Sequence, residues 1–71
     1  MSYRLRVDTL RKAALVKGDQ SGYAIAQRTG LSEPTVSKLL RGVSLPGLKA
    51  LLLFDRAYGT TPDDLIEEVA A

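Results

Sequence analysis

At 71 residues and 45% hydrophobic content the chain is expected to form one small domain, residues 1–71, since a disordered segment would be poorer in apolar residues. Cysteine and histidine are both absent, which excludes disulfides, thiolate nucleophiles, structural zinc and imidazole acid-base chemistry, so no metal and no cofactor is expected. Residues 1–54 hold nine Lys or Arg against three acids and residues 55–71 one against five, so the net +2 conceals a dipolar chain: a positive face for a phosphate backbone, or a mixed solvated surface.

In chain order, Val7, Leu10, Ala14 and Leu15 predict an amphipathic helix over about Val7 to Lys17, with Arg6, Arg11 and Lys12 outside and Gly18 as its stop. Ser21 is a good N-cap for a second helix, Gly22 to Thr29, which Gly30 ends in the left-handed conformation. Ser32 caps a third, Glu33 to about Arg41, with Pro34 in the first turn, where a missing amide proton costs nothing. Val36, Leu39 and Leu40 face inward along it. After a loop from Gly42 to Gly47 comes a fourth helix, Leu48 to Tyr58, whose core face is read as Leu48, Leu51, Leu52, Phe54 and Tyr58. Thr61-Pro62-Asp63-Asp64 then starts a fifth, Pro62 to about Val69, presenting Leu65, Ile66 and Val69. Almost nothing predicts a sheet, and the segment of Tyr3, Arg4 and Arg6 reads as a frayed terminus or as an arm touching phosphates or a minor groove.

Gly22 to Gly42, GYAIAQRTGLSEPTVSKLLRG, is the informative stretch. A helix-turn-helix needs a small residue where its helices touch, a glycine in the turn and apolar residues at fixed offsets. Ala26, Gly30, Ile25, Leu31, Val36 and Leu39 fill those places.

With Ala26-Gln27-Arg28-Thr29-Gly30-Leu31-Ser32 and Thr35-Val36-Ser37-Lys38-Leu39-Leu40-Arg41-Gly42, the chain resembles the Cro/repressor-type, or xenobiotic-response-element-like (XRE), helix-turn-helix family. The resemblance runs on through Pro46-Gly47-Leu48-Lys49-Ala50-Leu51-Leu52 and Tyr58-Gly59-Thr60-Thr61-Pro62-Asp63-Asp64-Leu65, about residues 20 to 66. It implies an all-α, compact, five-helix lambda-repressor-like DNA-binding domain with a central helix-turn-helix, acting as a small transcriptional regulator of the phage or bacterial kind. Two departures stand out: Gly18 to Gln20 lacks the usual glycine-apolar-serine-glutamine start, and Gly22 stands where a polar residue often grips a phosphate.

In that arrangement the third helix lies in the major groove with its N-terminal residues toward base edges. Glu33, Pro34, Ser37 and Lys38 are the base-edge candidates. Lys38 can donate to guanine, meet a phosphate or remain solvated; Glu33 can accept from cytosine N4 or serve only the helix dipole; Pro34 can touch a thymine methyl or merely start the helix. Ser21, Gly22, Tyr23, Ser32, Thr35, Arg41, Val43 and Ser44 are the phosphate candidates, Gly22 and Tyr23 through their amides. Gln27 and Arg28 are read as solvated.

The expected partner is a double-stranded, palindromic DNA operator, bound by a homodimer formed at least on DNA. Helix five, Phe54 and Leu53, which occupies a position usually polar in the family, are the candidate subunit contacts. A DNA-binding antitoxin of a toxin-antitoxin pair, or a protein-interaction module of the same fold without DNA affinity, would share these residues. Catalysis is the weakest reading, because capping and solvation explain Asp63-Asp64 and Glu67-Glu68 and no nucleophile has a base. The longest apolar run, Leu51 to Phe54, is far short of a membrane span and the N-terminus lacks a signal-peptide core, so a soluble, cytoplasmic protein without a membrane partner is expected.

Overall fold

The computed structural model describes residues 2–69. The order is β1 (Ser2–Leu5), α1 (Val7–Val16), α2 (Gly22–Thr29), α3 (Glu33–Leu40), α4 (Leu48–Tyr58), α5 (Pro62–Leu65) and β2 (Ile66–Val69). Phe54, Leu10, Ile25, Leu39, Leu65 and Val36 are its largest fully buried side chains, one or more from every helix. Each such burial is worth roughly 1.5–3 kcal/mol relative to exposure, so the core rather than helix propensity holds these short helices.

Two elements differ from the all-α expectation. β1 and β2 pair antiparallel, Ser2 opposite Val69 and Leu5 opposite Ile66, so the segment expected to fray is a strand. The fifth helix is a single turn. Thr61 Oγ1 accepts from Asp64 N at 3.3 Å and Asp64 Oδ2 accepts from Thr61 N at 2.9 Å, a complete capping box. Leu65 O then receives Arg6 N at 2.6 Å, and the chain continues as strand to Val69. Ile66 and Val69 fit a helical stripe by spacing, yet both are β-branched, and a strand partner from the other end of the chain outweighs a weak local preference.

α4 keeps its expected bounds but is rotated. Ala50 and Phe54 point inward with Leu51 and Tyr58 half-buried, whereas Leu48 and Leu52 are 71% and 46% exposed. In α1, Leu10 and Ala14 are buried and Leu15 faces solvent. α1 and α3 each stop one residue earlier than expected, at Val16 and Leu40, with Lys17 and Arg41 as their C-caps.

Candidate nucleic-acid interface

α2 and α3 form the closest helix pair, and its construction follows from side-chain size. Ile25 and Ala26 of α2 meet Val36 and Leu39 of α3 in the core, and Gly22 at the start of α2 lies over Leu40 and Val36 of α3. A methyl group at Gly22 would lie 3.4 Å from Leu40 Cδ1 and 3.7 Å from Val36 Cγ1, ordinary contact distances. Gly30 closes α2 at φ 82°, and its amide donates to Ala26 O at 2.9 Å. The buried Thr29 hydroxyl donates to Ile25 O at 2.8 Å and accepts from Leu31 N at 3.3 Å, so the turn buries no unpaired group.

The starts of both helices are capped, and the caps decide which donors stay free. Ser21 Oγ accepts from Ala24 N at 3.1 Å, which leaves its own proton and the Gly22 and Tyr23 amides facing outward. Ser32 Oγ accepts from Thr35 N at 3.3 Å and donates to Thr35 Oγ1 at 2.7 Å. The Ser32 proton is thereby used, and Thr35 carries the free one. Gly22, Tyr23, Glu33, Pro34 and Ser37 line one shallow depression of about 330 Å³, which brings phosphate and base-edge candidates together across the helix pair. Lys38 is exposed one residue further along α3, with no acidic partner among the described residues.

At the other end of α3, Gly42 at φ 74° donates to Leu39 O at 3.1 Å and Val43 donates to Lys38 O at 3.0 Å, a double C-terminal cap. The Val43 amide is thereby hydrogen-bonded within the domain, and its side chain is apolar. Ser44 and Arg41 remain, the Arg41 side chain folding back so that Nε donates to Ser37 O at 3.4 Å.

Arg28 is also not simply solvated. It pairs with Asp19, and its Nη2 donates to Lys17 O at 3.2 Å, while Tyr58 donates its hydroxyl to Asp19 Oδ2 at 2.7 Å. The Asp19 side chain keeps only 11% of its exposure. Hydrogen bonds from Arg28 first and Tyr58 second hold its carboxyl below the usual carboxylate range. Burial, reinforced by Asp19, pushes the Tyr58 phenol up. The junction from Gly18 to Gln20 is thus a strut joining α1 to α2 and α4, just before the amides at the start of α2. An acid between Lys17 and Arg28 was the available signal for it.

The carboxylates near the C-terminus are partly absorbed the same way. Asp64 serves the capping box, its carboxyl held low mainly by the Thr61 amide, and Glu67 is paired to both Arg4 and Arg6. Among the described residues no group of three or more His, Cys, Asp or Glu is placed to hold a metal, and no helix is long and apolar enough to cross a membrane.

Residues 4–69 match the protein family described as Helix-turn-helix domain. The chain belongs to that family. Its members are Cro/XRE-like DNA-binding domains, so membership points the α2–α3 pair of this domain toward DNA. Comparison with curated proteins and with solved structures finds no match.

Proposed function

We propose that this domain is a sequence-specific, double-stranded DNA-binding regulator of transcription, a compact cytoplasmic repressor whose α3 enters the major groove. The observation that carries the reading is the single depression lined by Gly22, Tyr23, Glu33, Pro34 and Ser37, with free first-turn amides on one wall and exposed α3 side chains on the other. A phosphate docked on the Gly22 and Tyr23 amides sets the depth at which Ser37 and Lys38 meet base edges. Ser21, Thr35, Arg41 and Ser44 add phosphate contacts around that point, and Lys38 supplies the one long cationic donor near the bases.

The domain measures 35 Å along its longest axis, about one turn of duplex, and offers one α3. A homodimer on a palindrome doubles both contact area and reading length. Phe54 is fully buried and α5 is one turn long, so the second subunit is assigned to the exposed row Leu45, Leu48 and Leu52 instead. The segment from Gly42 to Leu48 carries no charge, and Arg41 and Lys49 flank it, so a two-fold contact on this row must keep those two cations at its rim.

Selection from random duplexes, followed by competition against non-specific DNA at about 50 and 200 mM salt, tests the proposal. Enrichment of one motif and a steep loss of affinity with salt are expected. On the selected site Lys38→Ala costs roughly 1–3 kcal/mol and relaxes one base position, whereas Arg41→Ala weakens all sequences alike. No enrichment, with affinity indifferent to salt, refutes DNA reading and leaves a protein-interaction module.

A further inference from the structure

A second concavity, about 740 Å³, shares no lining residue with the depression between α2 and α3. One wall is β1 and the start of α1; the other is the end of α3 and the loop after it. Three arginines from two parts of the chain, Arg4 and Arg6 at the start and Arg41 after α3, border it together with Ser44. We infer that Arg4 and Arg6 form a second phosphate-binding wall, gripping the DNA backbone that flanks the site read by α3. This rests on the DNA-binding reading above and extends the interface to an element outside the helix-turn-helix.

Three features carry it. The two arginines are built in rather than frayed, because β1 is hydrogen-bonded to β2 and Arg6 N is anchored on Leu65 O. Both remain open to solvent, Arg4 at 69% and Arg6 at 48%. In each, the nitrogen turned to Glu67 is Nε: Arg4 Nε pairs with Oε1, and Arg6 Nε lies 3.5 Å from Oε2. Among the described residues neither arginine makes a hydrogen bond through an Nη group, so the ends of both guanidinium forks can turn to an anion. Glu67 therefore acts as a tether that fixes two cations side by side. The acids bordering the concavity are Glu67 and Asp8, against three arginines, so its rim stays cationic.

Arg41 joins this wall to the α3 side, which makes the two surfaces one continuous track for a sugar-phosphate strand. No base edge is implied, since the contacts are guanidinium groups on a strand and not side chains on a groove-filling helix.

The test is the salt dependence of binding to a mixed-sequence duplex of about 30 base pairs, where each phosphate neutralised contributes about 0.9 to the slope of log K against log salt. Arg4→Gln with Arg6→Gln is expected to lower the slope by nearly two such contributions, and Arg4→Lys with Arg6→Lys to restore it at unchanged thermal midpoint. A slope unchanged in the glutamine pair but reduced by Arg41→Gln overturns the inference while leaving DNA binding intact. Absence of duplex binding by the parent overturns both. Should the glutamine pair not fold, the cysteine-free chain allows iron-EDTA to be attached at Ser2→Cys, with both arginines kept. Cleavage of the backbone beside the selected site supports the second wall; cleavage from Ser44→Cys but none from Ser2→Cys refutes it.

Discussion

The α2–α3 pair and the β1–β2 ribbon are held by opposite means. Under α2–α3 lie Ile25, Ala26, Val36 and Leu39, all buried, with hydroxyl caps closing the starts of both helices. The ribbon sinks only Leu5 into the core, with Ile66 half-buried, and its outer face is tied by Glu67 to two exposed arginines. Apolar packing is indifferent to ionic strength, whereas exposed ion pairs are screened within about a Debye length. The helix pair proposed to read bases is therefore held by packing that ion screening does not weaken, and the ribbon at the margin is not.

The largest effect expected from this contrast is at Leu39. Leu39→Ala should cost about 2–5 kcal/mol in denaturant unfolding at any salt concentration, by opening a cavity between the two helices. A loss no greater than that of a ribbon variant would erase the distinction. Next comes Ser32→Ala, expected to lower stability by about 1 kcal/mol through the lost cap on Thr35 N, and equally so in low and high salt. Glu67→Gln should be smaller still, at most about 1 kcal/mol at low ionic strength, with the difference from the parent vanishing as salt rises. A salt-independent loss there would mean that the ribbon is held by packing after all.

The smallest effect appears only on acidification. Asp19 titrates below its ordinary 3.8 in the folded domain, so the unfolded chain takes up that proton first. Its contribution is complete above the unfolded value and is lost as the pH falls through the folded one. Asp64 adds to the loss in the same direction. The melting-temperature gap between the parent and Asp19→Asn should therefore narrow between about pH 6 and pH 3. A gap that stays constant would show that the strut acts without charge.

The same contrast explains what the sequence disclosed. Ser21, Gly30, Ser32 and Pro34 act within three or four residues of themselves, so the bounds of α2 and the start of α3 could be read from local chemistry. The face of α4 could not, because leucines at 48, 51, 52 and 53 surround that part of the helix and only the neighbours decide which sink. β2 was hidden more deeply, since Glu67 and Glu68 favour helix locally and the partner of Glu67 is Arg4. At the interface, residue type nominated Ser32 and Val43 as phosphate contacts, but whether a donor is free depends on Thr35 Oγ1 and Lys38 O. The link from Asp19 to Tyr58 spans the folded domain and left only a local charge pattern behind.

The ribbon also bears on the order in which the chain assembles. Pairing Ser2 with Val69 closes a loop containing almost every residue, the largest closure entropy available to this chain. That closure is offset only once α1 to α5 have brought the two ends together, so the ribbon is expected to form late. Loosening the ribbon, as in Glu67→Gln, is then expected to speed unfolding and leave the folding rate unchanged, the behaviour of a latch closed last.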